Sequence, residues 1–357
     1  MMNFRLCKAA VLGVALFVFA TTAMAQRVAY RDKDKVTEAN GTIDESDPLK
    51  TIKVKPNIGT NIKTIPSKDV VDMQYEVKAD LKKTWDGAWR SEWVTGAAAK
   101  DAKGRREALQ AALKAYQELA DKVGADPKSQ RQVQYKVAIL TANLAEGDKA
   151  QSKAAIELLE KYQKANANSW QIFSVVDALA RLYVDTNDFE KAAGAFDSMK
   201  KLPGVDDATK NDCELKSADY LMKAKKHGEA ADRLTKIVGA MKATDPAYEP
   251  MRMKLILCKA NTPDKFKEAI GELKKMKDTA KDDNKLAMLY NTLGDCYMMG
   301  NQPNDAKYEY LYVDLIYNKD RSQHLHALEH LVQVFKDLKQ LDKSKEYSQK
   351  LEKMRTQ

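Results

Sequence analysis

Histidine, cysteine and tryptophan are scarce in this chain of 357 residues, at four copies each. There is no CxxC pair or other cysteine spacing suited to a metal, and Cys213, Cys258 and Cys296 form an odd, widely spaced set. A disulfide framework is therefore disfavoured, and the three read as small buried residues. A contact between Cys258 and Cys296, nearly one repeat apart, is the alternative. The chain also lacks a glycine-rich phosphate loop, a G-x-S-x-G elbow and an H-E-x-x-H helix, so no common catalytic constellation presents itself. Beyond residue 20 no stretch is apolar enough to cross a membrane.

The one long apolar run lies near the start. Arg5 and Lys8 precede residues 9–20, and Ala23-Met24-Ala25 precedes Gln26. A positive segment, a short apolar segment and an A-x-A site read as a secretory signal peptide. Its apolar part falls short of the ~20 residues a spanning helix needs. Cys7 precedes the apolar run, so it cannot be a lipoprotein cysteine at the cleavage point. Residues 1–25 are expected to be removed, and the mature protein to be periplasmic or extracellular. Charged residues make up 31% of the chain with formal net charge +9. The two signs are interspersed, as on a solvated helical surface, so nucleic acid is not expected as a partner.

Residues 26–76 alternate apolar and polar residues in short runs, namely Val28-Ala29-Tyr30, Gly41-Thr42-Ile43, Thr51-Ile52-Lys53-Val54 and Lys63-Thr64-Ile65. Asn40-Gly41, Asp47-Pro48, Pro56-Asn57 and Gly59 punctuate them, which predicts a small antiparallel β-unit. The segment from Ile65 to Tyr75 resembles the end of an SH3-like or Sm-like barrel. Residues 77–104 follow, with Trp85, Trp89 and Trp93 at i, i+4, i+8. On a helix these form one stripe, expected to dock the β-unit or to pack as a first helix. A stripe facing a membrane interface is the alternative.

From 105 to 355 the pattern is helical. Ala155, Ala192, Ala230, Ala269, Ala306 and Ser344 recur at intervals of 37, 38, 39, 37 and 38 residues. Around most of them an aromatic or apolar residue stands three before, with apolar residues four and seven after. A fixed period near 38 residues predicts stacked helical hairpins, five or six of them, each unable to bury its apolar face alone. The fold class is thus mainly α: a hairpin solenoid preceded by a small β-unit.

The best copies are Leu179-Ala180, Tyr183, Phe189, Ala192, Phe196 and Tyr290, Leu293-Gly294, Tyr297, Ala306, Tyr310. On these residues the chain resembles the tetratricopeptide repeat family. Its pattern places small residues where the two helices of a hairpin cross, and large ones in the groove between them. The resemblance implies a non-enzymatic scaffold without a cofactor, which holds a protein or peptide in a concave groove lined by the first helices. Carried over by position, groove candidates are Asp177, Arg181, Asp219, Met222, Lys254, Met288, Asn291, Asp295, Met298, His326, Glu329, Gln333 and Lys336. The set lacks the Lys/Asn/Arg combination with which some members clamp a C-terminal carboxylate.

Two other readings remain. One is an envelope-surface protein that engages polymer or lipid through its basic charge and tryptophans. The other is a metal-binding protein using His324, His326 and His330. His326 and His330 would share a helix face, and a further ligand would have to come from another hairpin.

Overall fold

The computed structural model describes residues 26–33, 35–124, 126–261 and 263–356, so the signal segment expected over residues 1–25 lies outside the described residues. The chain divides into two compact units between Glu214 and Leu215.

The first unit begins with six antiparallel strands: β1 (Arg27–Asp32), β2 (Lys35–Asn40), β3 (Thr42–Asp47), β4 (Thr51–Lys55), β5 (Lys63–Pro66) and β6 (Val70–Gln74). They pair as two three-stranded sheets, ordered β2-β1-β6 and β3-β4-β5. Alternation does the sorting: Ile52 and Val54 on β4 are buried, whereas Lys53 and Lys55 are exposed, because successive strand side chains face opposite ways. Val28 stands opposite Met73, and the β1–β6 register shifts between Ala29 and Tyr30. Gly41 turns β2 into β3, where a Cβ would lie 2.0 Å from the Lys55 carbonyl oxygen.

Next come α1 (Ala79–Arg90), a π-helical turn Ser91–Thr95 and the three-residue α2 (Gly96–Ala98). The tryptophan stripe faces inward. Trp85 is 2% exposed and meets Tyr116 edge-on at 6.1 Å. Trp89 lies 4.1 Å beneath the Arg27 guanidinium of β1, and Trp93 faces Lys136 at 5.4 Å. The tryptophans thus join sheet to helices, and their faces are spent on internal contacts.

The helices that follow in the first unit are α3 (Ala102–Ala120), α4 (Pro127–Ala145), α5 (Lys149–Ala165), α6 (Ile172–Asp185) and α7 (Phe189–Lys200). The boundary falls within α8 (Asp207–Lys223). The second unit continues with α9 (His227–Ala240), α10 (Tyr248–Ala260), α11 (Pro263–Thr279), α12 (Asp283–Met299), α13 (Pro303–Leu315), α14 (Arg321–Asp337) and α15 (Leu341–Thr356). From α4 to α15 the described helices follow in six successive couples, α4/α5 to α14/α15; α4 packs on α5, α6 on α7, α10 on α11, α12 on α13 and α14 on α15. Alternate helices also pack side by side: α4 on α6, α10 on α12 and α12 on α14. Within each unit that is the hairpin packing expected from the sequence.

The repeating small residue does what its period implies. Ala155, Ala192, Ala230, Ala269 and Ala306 are all buried. Ser344, in the same place, donates its hydroxyl to the Val332 carbonyl on the paired helix at 2.9 Å. Cys213, Cys258 and Cys296 are buried too; Cys258 and Cys296 are free thiols.

A second period was not read from the sequence. Gly147, Asn187, Lys225, Asn301 and Lys339 all have positive φ, between 55° and 82°. Each sits in the turn between the helices of one pair, at intervals of 40, 38, 76 and 38 residues. At the last four, the next amide donates five residues back, as in Gln302 to the Tyr297 carbonyl at 2.8 Å and Gln340 to that of Phe335 at 2.8 Å. This is the left-handed helix stop that satisfies carbonyls left open at a helix end. Aspartates start many helices: Asp101, Asp126, Asp148, Asp282 and Asp320 each accept from an amide in the first turn. Asp320 explains why the Tyr317–Asp320 connection turns without proline or glycine.

A candidate binding face and a histidine–aspartate cluster

In the first unit, a buried polar seam ties β6 to the helices. Lys136 of α4, 2% exposed, lies 3.0 Å from Asp72 Oδ1 and 2.8 Å from Glu92 Oε2. Gln132 Nε2 donates to Asp72 Oδ1 at 3.0 Å and to the Met73 carbonyl at 2.9 Å. Gln171 Nε2 donates to Gln132 Oε1 at 3.1 Å. Burial works against the charge on Lys136, yet Asp72 and Glu92 outweigh it and hold its pKa well above the lysine norm. Burial also raises Glu92, against the pull of Lys136. A buried seam whose two carboxylates face one lysine is an anchor for the β-unit.

The sequence-predicted groove residues fall on alternate helices. In the first unit, Asp177 and Arg181 lie on α6; Arg181 is exposed and reaches Glu146 at 4.0 Å. In the second unit, Lys254 of α10 donates to Asp219 of α8 at 2.7 Å, and Met222 is half-buried. Met288 and Met298 of α12 pack partly into the hydrophobic core. On α14, Gln333 and Lys336 are exposed, and Gln333 donates to Asp337 Oδ1 at 2.6 Å. Glu329 accepts from Arg355 of α15 at 2.7 Å.

Two of the groove candidates do structural work. Asn291 is buried and donates to the Gln323 carbonyl and side-chain oxygen, both at 2.9 Å, which pins α12 to α14. Asp295 is enclosed by three groups. It accepts from the Tyr310 hydroxyl at 2.6 Å. His326 Nε2 lies 2.9 Å and His330 Nε2 3.8 Å from the same oxygen, Oδ1. The Tyr310 ring stacks on that of His330, with centroids 5.1 Å apart. Burial opposes ionisation of Asp295, but the two imidazoles and Tyr310 outweigh it and hold the carboxyl below its ordinary range. Burial pulls His326 down while Asp295 outweighs it and raises it; His330 is lowered by burial, with His326 adding to the effect.

The histidine cluster read from sequence changes one member. His326 and His330 come together as expected. His324 does not join them: its Nε2 lies 2.6 Å from Asp314 Oδ1, which also receives Lys350 at 2.6 Å. Two residues along a helix turn a side chain about 200°, so His324 points away from its neighbour. The third member is Asp295, from the preceding hairpin, so the triad is Asp295, His326 and His330. An i, i+4 histidine pair was legible; the facing aspartate depends on how α12 packs on α14.

Fold and site together define a helical-repeat protein with a β-sheet unit ahead of its helices. No family model matches the chain, and no curated protein matches it. Among solved structures it is similar to a tetratricopeptide repeat protein from Parabacteroides merdae, with TM-score 0.45 and 12% identity over 78% of this chain and 100% of the other. It is also similar to BtubC (BKLC) from P. vanneervenii, with TM-score 0.35 and 15% identity over 58% of this chain and 89% of the other.

Proposed function

We propose that this protein is an exported, non-enzymatic scaffold that holds a protein or peptide partner against the first helices of its hairpins. The observation that carries the reading is the side-by-side packing of α10 on α12 and α12 on α14. On this reading the first-helix positions line one wall, to which Lys254, Met298, Gln333 and Lys336 contribute charge, amide and thioether groups. Methionine side chains re-pack around varied apolar surfaces. Among the described residues no helix is long and apolar enough to cross a membrane. Export rests on Arg5, Lys8, residues 9–20 and Ala23-Met24-Ala25; N-terminal sequencing of the protein from an envelope fraction should start at Gln26, and an intact Met1 there would sink that part.

The groove reading is tested by affinity capture from envelope extract with the native chain and with a variant carrying Lys254→Glu and Lys336→Glu. A partner held by the native chain and lost by the folded variant supports it. A partner held equally by both moves the binding surface elsewhere.

A further inference from the structure

We propose that Asp295, His326 and His330 form a site for one divalent transition-metal ion of the zinc class. A simple hydrogen-bonded pair would account for Asp295 and His326 alone, at 2.9 Å. A second imidazole, His330, stacked on Tyr310, also brings its Nε2 to 3.8 Å from the same oxygen, beyond hydrogen-bonding reach. The three ligand atoms all lie within 4.8 Å of one another. Ligands on a tetrahedral ion with bonds of about 2.0–2.1 Å stand about 3.3 Å apart, and the two measured separations bracket that value. Small side-chain adjustments place all three on one ion.

The surroundings are those of a held site. His326 and His330 are i, i+4 on α14 and face Asp295 on α12, so the backbone already sets the spacing. Tyr310 fixes two of the three ligands: its hydroxyl donates to Asp295 Oδ1, and its ring stacks on His330. A carboxylate oxygen can accept from tyrosine and still offer a lone pair to a metal. Such outer partners orient ligands and tune affinity. Two imidazoles and one carboxylate suit zinc, cobalt, nickel or copper, whereas magnesium and calcium favour all-oxygen shells. Three protein ligands leave a coordination position open, and the His330 side chain is 38% exposed, which gives an ion access from solvent. The site stands whether or not the neighbouring face binds a polypeptide.

The test uses the full chain, stripped with a chelator and titrated calorimetrically with zinc chloride, with cobalt(II) chloride as a spectroscopic probe and magnesium chloride as control. One zinc per chain, a raised thermal midpoint, visible cobalt bands of a low-coordinate site and no response to magnesium are expected. His326→Ala and His330→Ala should each abolish stoichiometric binding. Tyr310→Phe should weaken it by about 10–100-fold, the range for outer partners, and His227→Asn, on another helix of the same unit, should leave it unchanged. Absence of zinc binding by the native chain overturns the proposal. So does equal affinity in the folded His326→Ala/His330→Ala double variant. Circular dichroism confirms folding, and if His326→Ala unfolds, the more exposed His330→Ala decides.

Discussion

Gly294 of α12 lies under the ring of Tyr310 on α13 so closely that a Cβ on the glycine would sit 2.5 Å from Tyr310 Cε1. The glycine is one of two small residues at the crossing of its hairpin, with Ala306, and its missing side chain is the space the ring occupies. Tyr310 is fully buried, so the ring cannot swing aside freely. Gly294→Ala should destabilise the protein by about 1–3 kcal/mol, the usual cost of overpacking. Urea denaturation would show a lower midpoint with unchanged slope. An unaltered midpoint would mean that the two helices part at little cost.

That contact also marks what the sequence could reveal. The small-residue period, the large residues around Ala192 and Ala306, and the alternation in β4 are local patterns, and each predicted its element. Side chains that act across elements were not legible, because nothing local pairs them. Asp295 meets His326 and His330 only through the packing of α12 on α14, and Lys136 finds Asp72 and Glu92 from well-separated stretches of chain. The tryptophan stripe and its inward docking were legible, but its particular partners, Arg27 and Tyr116, were not. Positive φ at Lys225 and Lys339 was hidden for another reason: lysine seldom marks such a turn, where glycine or asparagine would.

Those turns give a second prediction. Lys339 has φ 59° and is exposed, and a left-handed residue other than glycine carries about 1–2 kcal/mol of strain. Lys339→Gly should therefore stabilise, by roughly 1 kcal/mol once the extra freedom of glycine in the unfolded chain is set against it. The reverse change, Gly147→Ala at φ 82°, should destabilise. Thermal melts of the two variants should shift in opposite directions. Shifts of the same sign would show that turn strain does not govern these positions.

The buried lysine yields a pH-dependent prediction. Lys136→Met leaves Asp72 and Glu92 facing each other without a cation. Removing one partner of a buried ion pair costs about 3–5 kcal/mol, so a loss of that order is expected at neutral pH. The loss should shrink in acid, because burial raises Glu92 and a protonated Glu92 no longer needs the lysine. In the native protein the lysine pKa is raised. Its contribution is thus complete between the pH at which Glu92 ionises and the ordinary lysine value of about 10.4, and fades as pH rises through the folded lysine value. Denaturation midpoints of native and variant across pH would converge toward acid. A gap that is constant with pH would assign the effect to lost packing.

Asp314 of α13 gathers the terminal hairpin around one fully buried carboxylate. It holds Lys350 of α15 through both oxygens, at 2.6 and 2.8 Å, and His324 of α14 at 2.6 Å. In a repeat array each hairpin contacts chiefly its neighbours, so damage should stay local. Asp314→Ala removes a shared acceptor and should cost about 1–3 kcal/mol, the penalty of unmet buried polar groups; the partial exposure of Lys350 keeps it from reaching the full cost of a broken buried pair. Hydrogen exchange should accelerate in α14 and α15 while the amides of α10 keep their protection. Equal acceleration throughout the second unit would show that the hairpins open together, and would replace the nearest-neighbour picture with one cooperative body.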